Sequence, residues 1–262
     1  MVNSLQKMNF ATKIIDLKST LNLSKHNDLK EHSLEVAQIA RMILKSIQKL
    51  NKEKTVIEID ERTQNILKFI DIDTLADIYE LHDLGKVFIP EFILDKPDRL
   101  TPEEYMVVKQ HPIFAERLLD TIVNQERKLT LSMRAFYDAL YLVCGEHHEN
   151  YDGSGYPNKL KGNDISLLGR IARVADVISA LMGKRCYDRE IVSFDSIADY
   201  LKEQSGALFD EQIVNITISQ NSNELNKKFQ KKKDELLDIF NLGQSINKIM
   251  LASFVEVEGR GK

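Results

Sequence analysis

Apolar positions in this chain recur at helical spacing. Val36, Ile39, Ala40, Ile43, Ile47 and Leu50 follow the i, i+3/i+4, i+7 rhythm that lays one apolar stripe along a helix. Leu75, Ile78 and Leu81 form a second stripe that runs into His82 and ends near Gly85. Glycine and proline are absent from residues 1–84, which predicts long uninterrupted helices there. Thr101-Pro102-Glu103-Glu104 reads as a helix start, with Thr as N-cap, Pro at the first helical position and Glu completing a capping box. That helix is expected to stop at His111, because Pro112 disfavours the α conformation for the residue before it. Pro112 then opens another helix carrying Ile113, Leu118, Leu119 and Ile122, and a further one covers 131–147. From Ser166 to Met182 the pattern returns with small residues at Gly169, Ala172, Ala175, Ala180 and Gly183. No run alternates long enough to make a sheet. The pattern predicts an all-α helical bundle.

Two stretches break the helical rhythm. Residues 87–100 read as an irregular connection. Residues 149–164, ENYDGSGYPNKLKGND, are dense in turn residues and predict one long loop, a length that in compact domains usually serves function. At the end, 216–262 form a helical appendage in which Leu225, Phe229, Leu236 and Phe240 keep helical spacing. Its lysines at 227, 228, 231, 232 and 233 read as a solvated face rather than a patch for an anionic partner. The expected organisation is an N-terminal helical segment (1–24), a core domain (25–215) and this appendage, which packs on the domain or on a second copy of the chain.

Composition narrows the class. Of 262 residues, 43% are hydrophobic, enough for a core and too many for a disordered chain. The net charge of -4 argues against a partner that is polymeric nucleic acid, which calls for a basic face. No stretch nears the roughly 20 apolar residues that span a bilayer, and the lysine-dotted start does not read as a signal peptide. Cys144 and Cys186 lack a CxxC spacing and fit buried thiols in a reducing cytoplasm.

The chemistry lies in the histidines. His32 shares the face of Val36, Ile39 and Ile43; His82-Asp83 end the second stripe; His111 precedes Pro112; His147-His148 close a helix; Asp176 sits on the small-residue face one turn from Ala172 and Ala180. Imidazole and carboxylate are the usual ligands for Zn, Mn or Fe. A carboxylate has two oxygens, so Asp83 can bridge two ions. Any one of these histidines alone would pass for an ordinary core or surface residue. It is the set, at helix ends beside an Asp-Gly-rich loop, that points to metal.

His82-Asp83-Leu84-Gly85-Lys86 resembles the HDxGK signature of the HD metal-dependent phosphohydrolases. The run His147-His148-Glu149-Asn150-Tyr151-Asp152-Gly153-Ser154-Gly155-Tyr156-Pro157 resembles the HHExxDGxGYP signature of the HD-GYP subgroup. His32, His111-Pro112, Arg173-Val174-Ala175-Asp176, Arg185 and Ser205–Asp210 fall in that family's order, so the likeness covers roughly 25–215. It implies an HD-domain helical bundle that hydrolyses cyclic di-GMP, to linear pGpG and GMP, at a centre of two or three divalent ions, iron or manganese more than zinc. Position by position, it implies that His32, His82, Asp83 and Asp176 hold one ion. His111, His147 and His148 would hold a second, with Asp83 bridging. Lys86 would steady the phosphate or the attacking hydroxide. Gly155, Tyr156, Pro157 and Arg185 would contact substrate.

Some readings stay open at this level. Asp28, four residues before His32, is either a ligand to a third ion or a helix N-cap with Glu31 completing the box. The GYP loop is either a rigid turn or a ligand-receiving border, and Arg185 either a phosphate contact or a solvated cap. Ser179 stands where aspartate is common in the family, Cys186 where proline is, and Asp188 where a basic residue is. These changes keep a hydrolase of another cyclic dinucleotide, or a non-hydrolysing binding module, in view. Roughly thirty residues before His32 are too few for a sensor domain. Regulation is therefore expected from a protein partner, a homodimer, the tail or a region outside this chain.

Overall fold

The computed structural model describes residues 27–53, 57–126, 128–183 and 193–259, with Thr12, Asp16 and Leu17; the side chains of 27–29 and 236–259 are outside the description. Ten α-helices can be named in chain order. They are α1 (Asn27–Lys52), α2 (Glu61–Leu67), α3 (Ile72–Ile78), α4 (Glu91–Leu94), α5 (Pro102–Val108), α6 (His111–Gln125), α7 (Leu131–Glu146), α8 (Leu167–Met182), α9 (Phe194–Glu203) and α10 (Glu211–Gly259). Among the described residues there is no strand; a single bridge pairs Ser205 with Phe209. The all-α expectation is borne out.

The stripe on α1 is the spine of the core. Val36, Ile39, Ala40, Ile43 and Ile47 are buried, and they meet Leu75 and Ile78 of α3, Ile171, Ala175 and Ile178 of α8, and Leu225 and Phe229 of α10 in one cluster. Each such aliphatic side chain taken from water contributes about 1.5–3 kcal/mol, so the stripe holds α1 at the centre. α10 runs antiparallel to α1: Asn221 bonds Ser46, Lys228 bonds Gln38 and Lys232 bonds Glu35. The appendage thus packs on the domain, at least through Phe229. A solvated face is expected of that run, but Lys228 bonds Gln38 and the largely shielded Lys232 pairs with Glu35 and Glu31 of α1. The expected boundary near residue 215 falls inside the unbroken α10.

The first 84 residues are less continuous than their lack of Gly and Pro predicts. Asp60 and Asp71 each cap a new seven-residue helix, accepting from Thr63 N at 3.0 Å and Thr74 N at 2.9 Å. An Asp-x-x-Thr cap starts a helix as firmly as a proline would. The 87–100 stretch is partly ordered, since a 3-10 turn reaches Phe88 and α4 buries Ile93. The capping box at Thr101/Glu104 forms as expected, but α5 ends at Val108, not His111. His111 instead opens α6 with Pro112 behind it. The first amides of a helix have no acceptor in any case, so proline costs little there.

Candidate metal centre

Five separate segments bring the ring nitrogens and carboxylates together. α1 supplies His32, the turn after α3 supplies His82 and Asp83, the first residue of α6 is His111, the exit of α7 gives His147 and His148, and α8 gives Asp176. Two groupings have donor atoms close enough to share an ion: His32, His82 and Asp83, and Asp83, His111, His147 and His148. Asp83 belongs to both. Its Oδ2 lies 3.2 Å from His82 Nε2, while its Oδ1 lies 3.3 Å from His111 Nε2 and 3.6 Å from His147 Nε2. Asp176 Oδ1 adjoins the first grouping, 3.0 Å from His32 Nε2 and 3.9 Å from His82 Nε2. Lys86 Nζ stands 2.6 Å from Asp83 Oδ2.

The local chain geometry sets which nitrogen faces inward. His82, His111 and His147 each place Nδ1 against the carbonyl three residues earlier: Tyr79 at 3.0 Å, Val108 at 2.7 Å and Cys144 at 2.9 Å. A carbonyl can only accept, so each Nδ1 must carry the hydrogen and each neutral ring presents Nε2 as a lone pair. Close backbone packing makes this possible. A Cβ on Gly85 would fall 1.8 Å from the His111 carbonyl oxygen, so only glycine lets α6 lie this near the His82-Asp83 turn. At Gly155 a Cβ would meet Asn150 N at 2.2 Å, which folds the loop back onto the residues after α7.

Burial then divides the rings. It pushes His111 down to about 3, with Asp83 opposing only in part. It likewise holds His147 and His148 below the ordinary imidazole range. Burial also works against a charged His82, but the Asp83 and Asp176 carboxylates outweigh it and raise that pKa. Asp83 and Asp176 stay well below the usual carboxylate range although burial opposes this; Lys86 and His82 hold Asp83, and His32, His82 and His148 hold Asp176. Neutral His111, His147 and His148 beside ionised Asp83 and Asp176 are in the protonation states in which such groups ligate metal.

The donor set fits a cation. His82 Nε2 and Asp83 Oδ1 are fully buried with no hydrogen-bond partner among the described residues. An orphaned buried polar atom costs about 1–3 kcal/mol, and a positive ion would satisfy both. The cluster could hold divalent metal.

Around the rings, the 149–164 loop is fastened by Glu149, which is buried and accepts from Asn158 N at 2.6 Å and Leu160 N at 3.1 Å. Tyr156 stacks on His148, with ring centroids 4.7 Å apart and planes at 21°. Arg185, Cys186 and Asp188 lie outside the described residues, as does the carboxyl of Asp28. α1 already begins at Asn27, which places Asp28 within its first turn and not at an N-cap. Two contacts escaped the sequence reading. Ser179 Oγ lies 2.9 Å from His32 Nδ1, and Glu35 Oε2 accepts from Ser179 Oγ at 2.7 Å. Ser179 stands out in the sequence only as a position where the resembled family commonly has aspartate, and spacing is the further signal: Glu35 lies three residues after His32, and Ser179 three after Asp176.

No helix among the described residues is long and apolar enough to cross a membrane. Comparison with known proteins finds the HD domain over residues 72–213. A probable cyclic di-GMP phosphodiesterase of Vibrio cholerae is 32% identical over 70% of this chain and 41% of its own length. The cyclic di-GMP phosphodiesterase response regulator RpfG of Xanthomonas campestris is 42% identical over 51% of this chain and 32% of its own. A 3'3'-cGAMP-specific phosphodiesterase of Vibrio cholerae is 34% identical over 56% of this chain and 26% of its own. The chain therefore spans well under half the length of each of these relatives. The HD match covers more than half of this chain and includes the His82-Asp83 pair that gives such domains their name, and the chain belongs to the HD-domain family.

Proposed function

We propose that this protein is a metal-dependent phosphodiesterase that hydrolyses cyclic di-GMP to linear pGpG and onward to GMP. The observation that carries the reading is the convergence of buried lone pairs around Asp83, with one carboxylate oxygen turned to each ring grouping. His32, His82, Asp83 and Asp176 would hold one ion, and His111, His147 and His148 the other, with Asp83 between them. Iron or manganese suits this nitrogen-and-oxygen set, which lacks the thiolates common at structural zinc. Two ions is the preferred count, and a third would draw on Asp28.

Bound there, a pair of divalent ions lowers the pKa of water so that a nucleophile exists near neutral pH and offsets charge on the phosphoryl oxygens. The chain's own groups do the rest. The three backbone carbonyls behind His82, His111 and His147 keep Nε2 aimed inward, so no reorganisation is needed on binding. Lys86 holds the Asp83 carboxylate at 2.6 Å and sets a fixed positive charge beside the reacting phosphate. Tyr156, stacked on His148, brings the Gly155-Tyr156-Pro157 turn against the centre as the border of the substrate site. Arg185 would grip a phosphate by its fork.

The similarity to phosphodiesterases named for 3'3'-cGAMP supports a second substrate reading. Cytoplasmic action fits the buried free thiol of Cys144, and control would come from a protein partner, a second copy or the tail. The decisive experiment is anaerobic purification, metal analysis, and product identification with cyclic di-GMP and 3'3'-cGAMP supplied in competition. Conversion of cyclic di-GMP to pGpG by metal-replete protein is the expected result. A preference of tenfold or more for 3'3'-cGAMP would shift the assignment, and hydrolysis of neither by protein with two ions would overturn it.

A further inference from the structure

His32 is held differently from His82, His111 and His147. Behind His82, His111 and His147 stands a backbone carbonyl, which can only accept. Behind His32 stands the hydroxyl of Ser179, 2.9 Å from Nδ1, and a hydroxyl can donate or accept. Taken alone, Ser179 would tolerate either tautomer of His32, including the one that turns a hydrogen toward the metal centre.

The hydroxyl is not alone. Ser179 Oγ donates to Glu35 Oε2 at 2.7 Å; its other acceptor, the His32 carbonyl, is at the limiting distance of 3.5 Å. With its one hydrogen given to Glu35, Ser179 can only accept from His32 Nδ1–H. His32 Nε2, the atom 3.0 Å from Asp176 Oδ1, is then the lone pair. Glu35 uses its second oxygen, Oε1, to accept from Lys232 Nζ of α10, and Lys232 lies 3.4 Å from Glu31 as well. The Lys232 side chain is 14% exposed and that of Glu35 20%, so the pair is largely shielded from water.

We propose that Ser179, Glu35 and Lys232 are positioning residues for His32. They form one hydrogen-bonded chain that sets its tautomer and ties retention of the adjoining ion to the docking of α10 on α1. The inference rests on the metal-centre reading above. It gives the C-terminal helix a means of acting on the centre without touching substrate.

The test is Mn2+ binding to metal-stripped full-length protein, read as two dissociation constants. His32→Ala identifies which constant belongs to the His32 site. Ser179→Ala is expected to weaken that constant about 10- to 100-fold, the usual cost of losing a ligand's outer partner, and to leave the other within about twofold. Ser179→Thr, which keeps the hydroxyl, should restore it. Glu35→Ala should weaken the same constant, and the Ser179→Ala/Glu35→Ala double variant should lose no more than Ser179→Ala alone, because both break one chain. Lys232→Met, which keeps the length of the largely shielded side chain and removes its charge, should show a smaller loss that Lys232→Arg reverses. Additive losses, or an unchanged constant in Ser179→Ala, would overturn the chain while leaving the metal centre standing. If His32→Ala moves neither constant, the ligand assignment fails and the chain falls with it.

Discussion

His111 and His147 face each other Nε2 to Nε2 at 3.0 Å, and the Nδ1 of each is already engaged by a backbone carbonyl. Two imidazoles so placed are acceptor against acceptor unless a positive charge lies between or beside them. Asp83 Oδ1, 3.3 and 3.6 Å away, adds a third acceptor. A proton is a poor guest there, since burial pushes His111 down to about 3. A divalent ion meets all three demands, and this pair of rings is the most direct structural argument for the metal centre.

Removing Asp83 should therefore cost more than removing any single ring. Asp83→Ala is expected to release both ions, and His148→Ala only the ion on the His111 side, measured as metal per chain. Both variants, and His82→Ala, should lower kcat by at least the roughly 10²–10³-fold that one preorganised electrostatic group supplies. Near-normal turnover in metal-replete variants would exclude the two-ion scheme.

Stability of the metal-free protein should fall on acidification from pH 7 to 5. His111, His147 and His148 have folded values below the ordinary 6.5. Their contribution is present above 6.5 and is lost as pH drops from there toward the folded values, because the unfolded chain takes up protons that the fold refuses. His82 runs the other way: its value is raised, so its contribution is present below 6.5 and lost as pH rises through the folded value. Three depressed rings against one raised ring give a net loss toward acid. Urea midpoints at pH 7, 6 and 5 should show it. His111→Asn should flatten the slope by about one proton, roughly 1.4 kcal/mol per pH unit.

Gly85→Ala should damage the centre although Gly85 binds nothing. The added methyl would sit 1.8 Å from the His111 carbonyl oxygen and 2.8 Å from Ala115 N, both backbone, so α6 has to move. The expected cost is at least the 1–3 kcal/mol of overpacking, seen by denaturant titration, together with loss of the ion on the His111 side. Unchanged stability and metal content would show that α6 has more freedom than this contact allows.

Arg185 is predicted to recognise substrate rather than metal. A charge-assisted bond is worth about 1.5–3 kcal/mol, so Arg185→Ala should lower kcat/KM by roughly one to two decades with metal content intact. Arg185→Lys should also weaken binding, since an ammonium cannot copy the fork. Asp188→Lys should tighten cyclic di-GMP if that side meets phosphate. Wild-type behaviour of both Arg185→Ala and Asp188→Lys would favour the other-nucleotide reading.

Much was legible in the sequence because it depended on local rules. The α1 stripe, the Thr101/Glu104 capping box, the α8 helix behind Ser166 and the long 149–164 loop follow from side-chain periodicity and turn chemistry, which act over a few residues. So did the identity of the metal-binding types, since imidazole and carboxylate carry their chemistry wherever they stand. The Asp60 and Asp71 caps are equally local, and they break the helices of the first 84 residues without any glycine or proline. What tertiary structure alone decided was arrangement. That Asp83 meets His111 and His147, that Gly85 lets α6 close on the His82 turn, and that Lys232 reaches His32 through Glu35 and Ser179 all join residues far apart in the chain, Glu35 and Lys232 by 197 positions. No spacing rule spans such distances. They are set by which helix faces pack together, and only then does a ring nitrogen acquire the partner that fixes its hydrogen.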